Sequence, residues 1–403
     1  MFQLQTVRSL FDATSSKTGA AHGGELLELA PGGSGLSEAL LDEPGGFLWW
    51  YLDLIDDDGS GLVVIWSFGL PFLPGYADAA RRGEAPPPSE RPSLNVCVYD
   101  RGELDFYLLQ EFDASQVDWQ AGDDGDRWNF GDSRIVSELE GDQRVVELDL
   151  ALEVPGLDEV TRIRVDGRGQ ASHFGDGQHE PGRRTDEPLP VHDWVPLVCV
   201  CCGEATVRVG KQVRQIQGRL YHDRNGGRRP LHQLGIDAWI WGRIALPGRE
   251  LIYYLLDGVD EQDQCLVLSI DDAGRIDRIE DCQLERTATS VNLGGLRWWP
   301  SLTLNLGADE QLRVDLGDVV DSGPFYLRSV LEAVDQSGAR YRGIGEICRP
   351  DRVDLTRHRP LVRMRVHRQE GANSMWLPLF TGPRRGRVRR LLASWVPGNG
   401  GES

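Results

Sequence analysis

The chain has 403 residues, a formal charge of −20, 40% hydrophobic and 26% charged side chains. That balance supports a buried core and excludes a disordered, collagenous or coiled-coil chain, while the acidic excess disfavours a nucleic-acid partner. With 48 glycines and 22 prolines, breakers are too frequent for long helices, and short strands joined by turns are predicted.

Residues 1–45 read as a polar, glycine-rich arm with one short helix near Glu38–Leu41. Met1–Lys17 lacks the apolar run of a secretion signal, and seven cysteines are an odd, sparse set, so a reducing cytoplasm is the predicted setting. The first strong strand is Phe47–Ile55, with Trp49, Tyr51 and Asp53 on one face and Trp50, Leu52 and Leu54 on the other. The uncharged run from Gly59 to Ala77 is long enough for a membrane span, but Pro71 and Pro74 break it, leaving Gly61–Gly69 as a buried strand and a loop. Strands follow at 94–99, 105–111, 134–139, 144–152 and 161–165. The polar, glycine-rich stretch 167–190 is the predicted domain boundary. Strand signals then recur at regular spacing from Trp194 to His367, which predicts a second all-β unit. Trp239-Ile-Trp241 followed by a turn and an apolar strand echoes Trp49-Trp50 and its successor. The organisation is thus an arm at 1–45, β domains at 46–190 and 191–368, and a basic tail at 369–403.

Phosphate-binding glycine loops, a nucleophile elbow and paired zinc motifs are missing, so nucleotide, hydrolase and zinc chemistries lose their best support, and Cys199-Val-Cys201-Cys202 has no second Cys/His pair at ligand spacing, so no metal is expected. Twelve tryptophans remain. They either fill β cores or line an apolar cavity, where indole faces stabilise a cation. In Tyr221-His222-Asp223, Tyr221 and Asp223 share a strand face, and in Leu251–Asp257 so do Tyr253 and Asp257. An aspartate beside tryptophans in an apolar wall would have a raised pKa and serve as a proton donor; as a turn residue it would cap local amides. Only the fourteen residues Arg224 to Asp237 separate the strand of Tyr221 and Asp223 from that of Trp239 and Trp241, so the two are predicted to be neighbouring strands bordering one cavity in the second domain. A salt bridge to Arg224 is the main threat to an acidic role for Asp223.

The succession Trp49-Trp-Tyr-Leu-Asp53, Asp57-Asp-Gly59, Phe72-Leu-Pro-Gly-Tyr76, Leu94–Tyr99, Phe130–Ser133, Tyr221–Gly226, Trp239-Ile-Trp241, Pro324–Ser329 and Gly345-Glu346 resembles the carotenoid 1,2-hydratase (hydroxyneurosporene synthase) family. That family is similar to two-domain lipocalin-like proteins. The resemblance implies an all-β chain of two lipocalin-like β-barrel or sandwich domains in tandem, no organic cofactor, and a lipophilic small-molecule substrate. It departs where the family reads Asp-His-Asn-Trp-Gly and this chain has Asp223-Arg-Asn-Gly-Gly227, losing a histidine and a tryptophan. The candidate catalytic residues are Asp223, Asp257, Tyr253 and Glu346, and the candidate substrate-binding residues are Trp49, Tyr221, Trp239, Trp241, Phe325 and Tyr326. The implied activity is cofactor-independent, acid-catalysed hydration of a carbon–carbon double bond in an isoprenoid. Terpenoid or polyketide cyclisation or isomerisation on the same scaffold is the alternative, and a non-catalytic pigment or lipid carrier is the rival from another class. Five arginines between Arg384 and Arg390, with Trp376 and Trp395 nearby, suggest peripheral membrane contact through the tail.

Overall fold

Alternation along strand β1 (Phe47–Ile55) divides the interior of the molecule into separate cores. Trp50, Leu52 and Leu54 join the interior of a first sheet, where Trp50 lies 4.6 Å from Trp128 and 6.2 Å from Trp66 between ring centroids. Trp49 and Tyr51 face the opposite way, into a core shared with residues of a second sheet. Each fully buried aromatic of this kind contributes about 1.5–3 kcal/mol of burial free energy. The computed structural model describes residues 16–18, 26–29, 38–70, 73–122, 125–174, 192–259, 263–307, 310–369 and 371–395.

The first sheet runs through β2 (Gly61–Phe68), β3 (Pro92–Asp100), β4 (Glu103–Glu111), β5 (Val117–Gly122), β6 (Gly125–Phe130), β7 (Ser133–Glu140), β8 (Gln143–Leu152), β9 (Thr161–Gln170), β10 (Asp193–Val209) and β11 (Gln212–Gly227). Its antiparallel order is β4-β3-β2-β1-β11-β10-β9-β8-β7-β6-β5, so the last long strand returns to pair with the first. The second sheet comprises β12 (Ile236–Leu246), β13 (Arg249–Gly258), β14 (Gln264–Asp271), β15 (Arg275–Arg278), β16 (Cys282–Arg286), β17 (Ser301–Leu306), β18 (Glu310–Ser322), β19 (Tyr326–Asp335) and β20 (Arg340–Cys348). Here too the last strand, β20, returns to the first, β12. The echo between the two halves is therefore topological as well as sequential.

The fold is all-β and lipocalin-like, but the chain does not leave the first sheet for good near residue 190. Strands β10 and β11 close the first sheet against β1, and the crossing lies between Gly227 and Ile236. The polar, turn-rich composition at 167–190 marks an excursion from the first sheet: His173–Phe174 pairs in parallel with Arg275–Ile276 of the second sheet, and by Asp193 the chain is back in the first; residues 175–191 lie outside the described residues. The tail is not separate either. Gly382–Pro383 (β22) pairs with β4 and Arg384 bonds Glu103 at 2.9 Å, while Val366–Arg368 (β21), at the end of the stretch predicted for the second domain, also pairs with β4 of the first sheet. The arm is described only in part: Glu28–Leu29 pairs with β10, Ser16–Thr18 with β16, and Glu38–Leu41 is the predicted helix (α1).

Candidate active site

The two sheets meet face to face, and the space between them is lined by one rung of cross-strand neighbours from each. In the first sheet the rung is Asp223–Tyr51–Ile65, from β11, β1 and β2. In the second it is Tyr254–Trp241–Glu346, from β13, β12 and β20. All six line one cavity with about 460 Å3 of empty space, its mouth included, together with Trp49, Asn225 and Trp239. Tyr51 and Trp241 meet edge to face across the seam at 5.3 Å.

Asp223 is 3% exposed. Its Oδ2 accepts hydrogen bonds from the Tyr221 hydroxyl at 2.6 Å and Trp194 Nε1 at 2.8 Å, and its Oδ1 accepts from Asn225 Nδ2 at 3.1 Å. Burial pushes its carboxyl up to about 7, against the pull of the Tyr221 and Trp194 hydrogen bonds. Arg224 does not neutralise it. Alternation turns Arg224 to the other side of the strand pair, where it binds Asp193. Behind Asn225 stands His192, whose Nε2 is 3.1 Å from Asn225 Oδ1; burial lowers its pKa to about 4, so it is neutral at pH 7.

Glu346 lies on the opposite wall and accepts from Arg328 Nε at 2.7 Å. Arg328 is fully buried, its guanidinium stacked near Tyr326 at 5.3 Å and Tyr51 at 5.8 Å. Its Nη1 and Nη2 have no hydrogen-bond partner among the described residues. Trp241 Nε1 is likewise buried with no partner among the described residues.

Of the candidate residues, the structure brings Asp223, Glu346, Trp49, Trp239, Trp241 and Tyr326 to this cavity. Tyr221 stands behind Asp223 as a hydrogen-bond donor. Asp223 and the tryptophans are not on neighbouring strands as predicted. They belong to different sheets and meet across the seam, so the cavity is shared by both halves rather than held in the second. Tyr253 is directed away from it: cross-strand from Gly242, it packs in the second sheet's own interior, and a Cβ at residue 242 would come within 2.3 Å of its hydroxyl. The next residue, Tyr254, takes the cavity position. Asp257 follows Tyr253 on the interior-facing side and is ion-paired with Arg286 at 2.6 Å. Phe325 lines an adjoining cavity instead. Trp194, Asn225, Tyr51 and Tyr254 were not singled out from the sequence, although alternation places Tyr51 beside Trp49, and Asn225 beside Asp223.

The family model of the carotenoid hydratase CrtC matches residues 64–375. A hydroxyneurosporene dehydrogenase of Chlorobaculum tepidum is 27% identical over 343 residues, covering 77% of this chain and 84% of that one. An acyclic carotenoid 1,2-hydratase of Thiocapsa roseopersicina is 27% identical over 290 residues, covering 72% of this chain and 65% of that one. In shape, a crystal structure described as AttH from Nitrosomonas europaea aligns with TM-score 0.54 at 14% identity, over 81% of this chain and 99% of that one.

Proposed function

For this chain, which belongs to the carotenoid hydratase family, we propose that Asp223 protonates a terminal, branched double bond of an acyclic carotenoid-like isoprenoid and that water captures the resulting tertiary cation. The observation that carries this reading is a buried carboxyl surrounded by neutral donors, with a pKa of about 7, set in a wall of indole and phenol rings. Such an acid is half protonated at neutral pH, where an ordinary aspartic acid is ionised. The proton passes from the Asp223 carboxyl to the terminal alkene carbon, leaving the charge on the branched carbon, among the indole rings of Trp49, Trp239 and Trp241 that line the cavity. Water adds to that carbon, its extra proton returns to the Asp223 carboxylate, and the balance is one alkene plus one water to one tertiary alcohol.

In this reading the water sits at Glu346, which lines the cavity and is bonded by the buried Arg328. Buried donors without partners cost free energy, and an ordered water that bonds two to four polar groups is their usual remedy. No organic cofactor enters this reading. If the wall kept water out, the same cation would close a ring or lose a proton to give an isomer; the polar Glu346–Arg328 pair opposite Asp223 favours capture by water. Replacing Glu346 with Gln in the full chain tests the assignment: hydration should fall while alkene isomers accumulate, as followed by mass spectrometry with heavy-oxygen water.

The substrate class also gives the tail a role. In the helix Arg387–Trp395 (α2), Val388, Leu392 and Trp395 form an exposed stripe at helical spacing, and Met375 and Trp376 are exposed nearby. Residues 371–395 contain five arginines and no acid in a chain of charge −20, the charge pattern of an interfacial helix on an anionic bilayer. No helix among the described residues is long and apolar enough to span a membrane. Flotation with phosphatidylglycerol vesicles at low salt should recover the full chain, and recovery should fall when Leu392 and Trp395 are changed to Ser; equal recovery would remove this role.

A further inference from the structure

The rung that carries Asp223 does not end at Ile65. It continues to Asn95 on β3 and Leu109 on β4, and these two residues line a second cavity with about 420 Å3 of empty space. On the facing sheet the rung from Tyr254 through Glu346 continues to Arg328 and Asp321, and Asp321 lines the same second cavity. The two spaces therefore lie in succession along the seam between the sheets, with Ile65 and Arg328 on the rungs between them. Tyr326 belongs to the walls of both. At a strand spacing of 4.7–4.9 Å, the four steps from Asp223 to Leu109 span about 19 Å.

The chemistry of the far part is close to neutral and apolar. Its carboxylate, Asp321, is paired with its guanidinium, Arg365, which also stacks over the Tyr107 ring at 4.3 Å. Phe325, Leu109 and Val362 supply the rest of the wall used here. With its mouth included, neither space exceeds about 460 Å3. A compact ligand would need one of them; an extended chain running across the strands would use both.

We propose that the second cavity is a subsite for the distal, unreacting segment of a long acyclic isoprenoid whose terminal double bond lies at Asp223, with Tyr326 as the partition that sets chain-length preference. The proposal rests on the hydration reading. A long substrate displaces the Tyr326 ring and is held along the seam; a short one is held only beside Asp223.

The test compares kcat/KM of the full-length protein for two acyclic isoprenoid hydrocarbons with the same terminal unit, one of monoterpene length and one of carotenoid length. Val362→Phe, which fills the far cavity, should lower the long-to-short ratio about tenfold, as expected for overpacking a fitted site, whereas Tyr326→Ala should raise it. A folded Val362→Phe variant with the wild-type ratio overturns the subsite. If the wild type converts neither hydrocarbon, the hydration reading falls, and equilibrium binding followed by tryptophan quenching decides the subsite alone. Weaker binding of the long polyene to Val362→Phe supports it, and equal binding overturns it.

Discussion

Two buried aspartates on one sheet face, one strand apart, have opposite fates. Asp223 on β11 and Asp53 on β1 both point into the seam, and Tyr221 pairs in register with Asp53 as Tyr51 does with Asp223. Asp53 is fully buried and bound by Arg243, whose Nε lies 2.9 and 3.1 Å from its two oxygens, and the same guanidinium binds the buried Glu250 of β13. Burial pushes Asp53 and Glu250 up, and the shared arginine opposes it. Around Asp223 the donors are a phenol, an indole and an amide, none of which carries charge. Burial alone therefore does not make an acid; burial with neutral partners does, and burial with a cation makes a clamp between the sheets.

The comparison can be broken from either side. Asp223→Asn keeps the shape and removes the proton, and turnover should fall by about 10²–10⁴-fold, with unfolding by urea showing an intact protein. Arg243→Met should do the converse: it leaves Asp53 and Glu250 buried without their cation and should cost about 3–5 kcal/mol of stability, read from the same urea curves. Asp223 also has a pH signature of its own. Because the folded pKa of Asp223, about 7, lies above its unfolded value, the folded chain holds an extra proton between about pH 4 and 7. Its contribution is fully present below the unfolded pKa and is lost as pH rises through the folded one. From pH 4 to 8 the wild type should therefore lose roughly 4 kcal/mol relative to Asp223→Asn; parallel stability curves would contradict the assignment. The smallest expected effect belongs to Tyr221→Phe. It deletes a donor to the carboxylate, so the Asp223 pKa should rise further and the alkaline limb of the rate profile should move to higher pH, with a several-fold lower plateau as the weaker acid gives up its proton less readily.

Period-2 alternation is a local property, and it made the faces of β1 and β11 legible in the sequence: Trp49 with Tyr51 and Asp53, and Tyr221 with Asp223. It cannot say which face of a strand looks at which core. Tyr253 and Asp257 were correctly placed on one face, yet that face is the closed interior of the second sheet, and Tyr254 looks into the seam. Nor does a short connection distinguish strands that pair from strands that oppose one another. The eight residues between β11 and β12 carry the chain from one sheet to the facing one, so Asp223 and Trp241 meet through packing rather than pairing. Trp194 escaped notice because its role depends on a register shift: β10 is irregular between Pro196 and Cys201, and no sequence period marks where an indole meets a carboxylate on the next strand.

The central claim is that Asp223 carries a proton near neutral pH without any substrate. Infrared difference spectra of the wild type minus Asp223→Asn, taken across a pH series, read the carbonyl stretch of the neutral carboxylic acid directly. A band present in mildly acidic solution that disappears with a midpoint of about 7 is the predicted result. A carboxyl already ionised at pH 6, with a midpoint near the ordinary aspartate value of about 4, would show that Asp223 is an acceptor of hydrogen bonds and not the acid of the site.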